Sequence, residues 1–458
     1  MRPMLPVVAI VGRPNVGKST LFNRLTRTRD ALVHDRPGVT RDRHYGVAED
    51  GALEILVIDT GGFEPNPEDD LFSSVRVQAE AAIEEADLIL FVVDQQAGRT
   101  PTDDLTASIL RKAASKNVKN PPVLLIVNKC DNNQAEINAA DFWGLGLDNM
   151  LCISAEHGRG AHDLWEAIGE RLPEPESKKD QAEDEEEDEI RVAVLGKPNI
   201  GKSTLVNRLI GEERHVVHDS PGTTMDSIDS VVQIDGQQYR FIDTAGVRRR
   251  ARIGDKLEVF AATRAIRCIE RCHIILLVVD ATEPVAHQDA RLAALIEDRG
   301  RGVLILFNKW DKVSPDPERN VRVVDDERDQ RLPHLRWARS LYISALTGKG
   351  CRLIMPEIKK IYSEFDKRIK TSELNNFLEA ALDAYSVPQK NNRPVKLNYM
   401  TQTRVRPPTF VVWANTPEGV PTSYKRYLEN RLRDAYGFGG TPLRVQFRQK
   451  RKPGEGKK

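Results

Sequence analysis

The chain has 458 residues, too many for one core and enough for about three domains. Hydrophobic residues are 40% and charged residues 30%, the balance of a soluble globular protein rather than a disordered one. No apolar run is long enough to span a bilayer, and five scattered cysteines make no disulfide framework. The first residues, "MRPMLPVVAIVG", lead into a glycine-rich loop and read as no signal peptide, so a cytoplasmic chain is expected. The formal net charge is zero, but residues 351–458 hold 22 Lys/Arg against 10 Asp/Glu, a net of +12. A basic end on a neutral chain suggests an acidic partner for that end alone.

In chain order, the apolar run "VVAIV" predicts a buried strand and is followed at once by "GRPNVGKS". These residues, Gly12, Arg13, Pro14, Asn15, Val16, Gly17, Lys18 and Ser19, fit G-x-x-x-x-G-K-[ST]. The glycines let backbone N–H groups wrap an anion, and the helix that follows adds its positive end. Lys18 is expected to neutralise the outer phosphates, and the Ser19 hydroxyl to ligate Mg²⁺. In "DRPGVTRD", Thr40 is placed to offer a hydroxyl to Mg²⁺ and an N–H to the γ-phosphate. The strand "LEILVI" then runs into "DTGGF": Asp59 would hold Mg²⁺ through water, the Gly62 N–H would sense the γ-phosphate, and Thr60, Gly61 and Phe63 belong to the same nucleotide-binding segment. The strands "LILFVV" and "VLLIV" follow, the second ending in Asn128, Lys129, Cys130 and Asp131. An aspartate here can accept from the guanine N1–H and exocyclic amine together, donors that adenine lacks on that edge. Asn128 can tie this loop to the phosphate loop, and Lys129 can lay its stem over the base. After "MLCI", Ser154 and Ala155 stand where a backbone N–H could meet guanine O6.

The whole pattern then recurs, offset by about 180–190 residues. Gly196, Lys197, Pro198, Asn199, Ile200, Gly201, Lys202 and Ser203 form a second phosphate loop, and Thr224 matches Thr40. Asp243, Thr244, Ala245, Gly246 and Val247 match the "DTGGF" segment. Asn308, Lys309, Trp310 and Asp311 match the base loop, and Ser344 and Ala345 its partner. Continuous apolar strands between helical stretches predict, twice, a mostly parallel sheet with helices on both faces. Residues 1–173 and 190–370 are the expected domains. Between them, residues 174–189 are nearly all charge and read as a flexible acidic tether. Cys268 and Cys272 would share a helix face and are expected to pack in a core.

From 371 the chain changes character, and the order α-β-β-α-β predicts a small α+β module to residue 449, with a basic tail over 450–458. It supplies Arg404, Arg406, Lys425, Arg426, Arg431 and Arg433, with Tyr424, Tyr427 and Tyr436 interleaved. Basic side chains suit phosphates and aromatics suit unpaired bases. The basic helix could equally dock on a neighbouring domain. "GFGG", Gly437–Gly440, reads as a helix stop and turn, though it spells the GxxG of KH domains. "GVRRRARIGDK" after the second DTAG is basic where the first copy has acidic "GFEPNPEDD", so the two copies would answer nucleotide with opposite charge.

Two "PN[VI]GKST" loops, an acidic linker and "RPPTFVVWANTPEGVPTSYKRYLENRLRDAYGFGGTPLRVQFR" resemble the Der (also called EngA) ribosome-assembly GTPases of bacteria over essentially the whole length. The resemblance implies two P-loop GTPase domains of α/β fold followed by a KH-like domain. It also implies hydrolysis of GTP to GDP and binding to the large ribosomal subunit or its precursor and rRNA, by a monomer. Phenylalanine cannot orient water, and Phe63 and Val247 stand where many GTPases carry glutamine. In GTPases similar to these, a phosphate-loop asparagine, here Asn15 and Asn199, helps hold K⁺ beside the phosphates, a fixed charge in place of an arginine finger. Asn15, Lys18, Thr40, Asn199, Lys202 and Thr224 are therefore the expected catalytic residues, with Mg²⁺ on Ser19, Thr40, Asp59, Ser203, Thr224 and Asp243. Met225 departs from the family's arginine, which Arg41 keeps. A non-catalytic guanine-nucleotide sensor and a tRNA-modification GTPase are the alternatives.

Overall fold

A computed structural model describes residues 5–26, 45–51, 53–60, 79–80, 82–83, 86–114, 121–172, 189–211, 229–243, 258–313, 319–388 and 395–449. Residues 174–188 of the expected tether, the basic tail and the Arg248–Arg252 segment lie outside the described residues, while the tether's last residue, Glu189, opens a strand. Two compact units result, one carrying the first large sheet and the other the second large sheet together with a small third one.

In the first unit, β1 (Val7–Val11), β2 (Tyr45–Asp50), β3 (Leu53–Asp59), β4 (Leu88–Asp94), β5 (Val123–Asn128) and β6 (Met150–Cys152) form one sheet, ordered β2-β3-β1-β4-β5-β6. Only β2 runs antiparallel, joined to β3 by a tight turn at Gly51. Every residue of β1 and β4 is buried, as strands covered on both faces must be. Alternate residues feed two cores. Val8 and Ile10 pack with Leu21 and Leu25 of helix Lys18–Thr26 and Leu164 and Ile168 of helix Ala161–Arg171. Ala9, Val11, Ile89 and Phe91 pack on the other side with Leu110 and Phe142. Parallel strands bring the residues that follow β1, β3, β4, β5 and β6 to one edge. The order reverses at β1, which opens the crevice where such sheets bind ligands.

The second unit repeats this with β7 (Glu189–Leu195), β8 (Ser230–Ile234), β9 (Gln237–Ile242), β10 (Ile274–Asp280), β11 (Gly302–Asn308) and β12 (Arg339–Tyr342), ordered β12-β11-β10-β7-β9-β8. Its C-terminal part has the α-β-β-α-β order read from the sequence. Helix Thr371–Ala384 is followed by β13 (Leu397–Arg404), β14 (Thr409–Ala414), helix Thr422–Tyr436 and β15 (Arg444–Arg448). The sheet order is β13-β14-β15, antiparallel then parallel. Cys268 and Cys272 are buried free thiols, as expected of core residues.

The C-terminal module is joined to the second large sheet through the "GFGG" turn. Gly437 ends the helix at φ 91, and its N–H returns to Arg433 O at 2.9 Å. Gly440 then accepts from Val303 N–H at 2.7 Å and donates to Trp337 O at 3.0 Å. Arg433 lies 5.1 Å from the Trp337 ring centre, and burial lowers its pKa to about 10. Arg433 is thus a junction residue, not a free phosphate contact. Among the interleaved tyrosines, Tyr424 is corrected, being buried. Tyr424 shares a buried stripe with Leu428 and Leu432 at spacings of four, and its hydroxyl donates to Tyr385 O at 2.8 Å. Tyr427 and Tyr436 donate to Ala381 O and Glu373 O. All three help to build the module.

His273, just before β10, is 6% exposed and accepts from Arg191 N–H at 3.2 Å through Nδ1. Burial, then the charges of Arg191, Arg406 and Arg301, lowers its pKa to about 3. It is neutral in the fold but titrates near 6.5 when unfolded. Its contribution is therefore complete above pH 6.5 and lost as pH falls toward 3, by up to about 1.4 kcal/mol per pH unit. Thermal unfolding should show the second unit losing stability between pH 6.5 and 4.5. His273→Phe should flatten that limb while lowering stability at pH 7.5 by about 1 kcal/mol through the lost acceptor. An unaltered acid limb in the variant would place the lability elsewhere.

Candidate functional site

Each phosphate loop turns through angles that side chains avoid. Gly12 has φ 155, and a Cβ there would stand 2.3 Å from Val92 O. A Cβ on Gly17 would stand 2.3 Å from Asn128 Nδ2. Gly196 and Gly201 repeat both contacts, at 2.3 Å from Val278 O and 2.5 Å from Asn308 Nδ2. Between the glycines, Pro14 and Pro198 are exposed at the apex, and Asn15 and Asn199 are left-handed at φ 65 and 60. Val16 and Ile200 are buried and fasten the loop to its core.

Lys18 folds back along the loop, donating to Gly12 O at 2.7 Å and Arg13 O at 2.8 Å. Burial, with Asp59 opposing it and Arg13 adding to it, lowers the Lys18 pKa to about 8. Lys202 donates to Gly196 O at 2.8 Å and to Lys197 O. Arg13 reaches Asp103 at 3.5 Å and Lys197 reaches Asp289 at 3.2 Å. Each aspartate lies in the first turn of the helix after the central strand, Pro101–Ala114 or His287–Arg299. Burial raises the Asp289 pKa although Lys197 pulls it down.

The Ser19 hydroxyl donates to Asp59 Oδ2 at 2.8 Å, bringing two of the expected metal ligands together. Thr60 pins that segment to β1 through Ile10 O at 2.7 Å. In the second copy Ser203 opens helix Lys202–Gly211. Asp243 follows β9 at φ 54, with its N–H donated to Asp229 Oδ1 at 3.0 Å. Asp229 is held in turn by Arg271 at 2.6 Å. Thr40, Gly61, Gly62, Phe63, Thr224, Thr244, Ala245, Gly246 and Val247 lie outside the described residues.

The base loops centre on one asparagine each. Asn128 donates Nδ2–H to Val16 O at 2.9 Å and accepts from Ala155 N–H at 2.9 Å. Asn308 does the same with Ile200 O at 2.7 Å and Ala345 N–H at 2.8 Å. The alanine N–H groups expected to meet guanine O6 are thus engaged by asparagine in this structure. Lys129 and Lys309 are left-handed, φ 66 and 64, and their ammonium groups reach Asp94 and Asp280, each at 2.6 Å. Burial alone would raise the Asp280 pKa, but the Lys309 and Thr282 hydrogen bonds hold it low. Cys130 and Trp310 face inward. Their N–H groups donate to Ile153 O at 2.9 Å and Ile343 O at 3.0 Å. Asp131 accepts from the Ser154 hydroxyl at 2.7 Å. Ser344 accepts from Thr347 N–H at 3.1 Å. Among the described residues Asp311 Oδ1 is buried with no hydrogen-bond partner.

Three pairs of contributors escaped the sequence reading. Asp94 and Asp280 end the central strands and hold the base-loop lysines. Asp103 and Asp289 hold the second residue of each phosphate loop. Arg24 clamps Ala155 O and Glu156 O, and Arg208 clamps Ala345 O and Leu346 O at 2.8 and 2.7 Å. Each recurs at the matching place in both copies, and that recurrence was the available signal.

A glycine cradle, a lysine folded beneath it and an asparagine hub that ties the base loop to the cradle define a guanine-nucleotide P-loop domain, present twice. A family model described as 50S ribosome-binding GTPase matches residues 7–129 and 191–309. Another, described as the KH-domain-like C-terminal domain of EngA bacterial GTPase enzymes, matches residues 368–448. The chain is 45% identical to the GTPase Der of Syntrophotalea carbinolica over 97% of this chain and 99% of that one. For the GTPase Der of Methylococcus capsulatus the identity is 44%, over 99% and 96%. For that of Geotalea daltonii it is 44%, over 97% and 98%. The chain belongs to the GTPase Der family.

Asp311→Asn replaces the unmet acceptor with an amide that offers a donor to the guanine amine edge. It should lower guanine-nucleotide affinity at the second site at least about 100-fold. Titration with fluorescent GDP should then find one tight site per chain instead of two. Xanthosine diphosphate, which carries an acceptor at that edge, should recover the second. Two retained GDP sites would remove Asp311 from base recognition.

Proposed function

We propose that this tandem GTPase is a nucleotide-gated factor in assembly of the large ribosomal subunit, binding the subunit or its precursor through rRNA. The observation that carries it is the full-length likeness to GTPase Der, together with a family model described as a 50S ribosome-binding GTPase matching both GTPase domains. The basic charge of residues 351–458 supports an RNA partner for the C-terminal module. Among the described residues no helix is long and apolar enough to cross a membrane.

Both sites would work with Mg²⁺. Ser19 and Asp59 fit it, being two oxygen donors 2.8 Å apart at the phosphate end, and Ser203 and Asp243 would serve the second copy. When bound, the ion neutralises charge between the outer phosphates. Thr40 and Thr224 would complete each set. Lys18 and Lys202 already sit beneath the cradle and would turn their ammonium groups to the phosphate oxygens.

K⁺ would supply the charge that a glutamine-free site lacks. Asn15 and Asn199 are exposed at the loop apex, and among the described residues no side-chain hydrogen bond engages them. Hydrolysis should therefore run at least tenfold faster in K⁺ than in Na⁺, and Asn15→Ala with Asn199→Ala should abolish the difference. Equal wild-type rates in the two salts would end the K⁺ assignment.

Sedimentation with purified ribosomal subunits tests the larger reading. The protein loaded with a non-hydrolysable GTP analogue should travel with the large subunit, and the GDP form should not. Failure to co-sediment in either state would leave a GTPase without a ribosomal role.

A further inference from the structure

The C-terminal module has one helix-covered face and one free of its helices. Met400, Phe410, Val412 and Val445 point to the side where Leu374, Leu378, Leu428 and Leu432 pack. Alternation along the strands puts the intervening residues on the opposite face. Pairing aligns Tyr399 with Trp413 and Trp413 with Arg448, so these three form one row across all three strands. The two rings are stacked, with centres 5.6 Å apart and planes at 23°. Both are half-buried, whereas Arg448 is exposed and donates to the exposed Gln446 at 3.0 Å. The end of the sheet nearer the second GTPase domain is anchored by Arg444, which donates to Asp298 O at 2.7 Å. The aromatic row lies four residues further along β14 and β15, on the order of 13 Å from that anchor.

We propose that the far end of this sheet face, past the buried Thr409 and Val411, is the module's binding surface for single-stranded RNA, with Tyr399 and Trp413 stacking on bases and Arg448 meeting a phosphate. The inference deepens the ribosomal reading and rests on it. Two observations favour RNA as the occupant. Stacked aromatics beside a guanidinium on a sheet face are what sequence-tolerant base stacking requires. The alternative place in the module, the Gly437–Gly440 turn, has its backbone committed to Val303 and Trp337. The charge is complementary as well, since residues 351–458 carry +12.

The test uses the full chain, a 12-nucleotide single-stranded RNA and a 12-base-pair RNA duplex, with anisotropy read at several KCl concentrations. Wild type should prefer the single strand. The double variant Tyr399→Thr, Trp413→Val keeps strand-forming residues and should bind the single strand at least tenfold more weakly, with unchanged GTPase rate and melting temperature. Arg448→Ser should reduce the salt slope by about 0.7. Equal affinity in wild type and double variant, or a wild-type preference for duplex, overturns the proposal while leaving ribosome binding intact. Lost co-sedimentation with unchanged oligonucleotide affinity would make the face a protein contact and overturns it too. A wild type that binds neither RNA nor subunit takes the ribosomal reading down with it. Should the double variant melt early, photo-crosslinking of 4-thiouridine RNA to wild type decides instead. Adducts on Tyr399 or Trp413 are expected, and adducts confined to other residues overturn the proposal.

Discussion

Both nucleotide sites depend on one buried amide. Asn128 and Asn308 each donate to a phosphate-loop carbonyl and accept from the N–H that opens the loop after the last strand. Three loops are thereby fixed at one spacing, the asparagine lying 112 or 108 residues from the first and 27 or 37 from the third. A buried group lost on either side would leave a backbone partner unmet at about 1–3 kcal/mol each. No other side-chain pair of this shape and reach would serve, because the hub must give one proton and take another. A carboxylate could only accept, and a lysine only donate. The close approach of Gly17 and Gly201 to these amides follows from the same hub, since any Cβ would displace it.

Around the hub the copies agree in the lysine of the base loop. In both, a left-handed lysine is drawn to the aspartate that closes the central strand, so the strained backbone of Lys129 and Lys309 is held by an ion pair at 2.6 Å. At the phosphate end, Asp59 accepts from Ser19, and the Asp243 N–H donates to Asp229, itself bridged to Arg271. Cys268 lies 3.8 Å from Asp243 Oδ2, and burial pushes that thiol well above its ordinary pKa, so it stays neutral beside the carboxylate. The duplicated domains share the asparagine hub and the lysine–aspartate pair at the base end.

Legibility followed sequence distance. Glycine loops, base loops and buried strands are local patterns, so their residues and the α/β architecture could be read directly. The Asp94–Lys129, Asp103–Arg13 and Arg24–Ala155 contacts join points 35, 90 and 131 residues apart, and nothing local marks them. Only their recurrence in the second copy could have. Tyr424 was a different case. Its spacing to Leu428 and Leu432 was visible in the sequence as a helical stripe, but the surrounding arginines drew the reading toward nucleic acid. The face carrying Tyr399 and Trp413 was hidden because it depends on register between strands, which a single chain does not print.

The hydrogen bond from Val303 to Gly440 places the edge of the C-terminal module at the foot of β11, whose other end is Asn308. With Arg433 against Trp337 and Arg339 bonded to both Glu364 and Gly439 O, the border near residue 370 is a seam in the sequence but not in the solid. Cutting the chain there would strip a buried backbone amide of its acceptor and bare the indole face beside it. For anyone trimming this protein into pieces, the second GTPase domain and the module after it are one article of construction, and the smallest sound fragment keeps both.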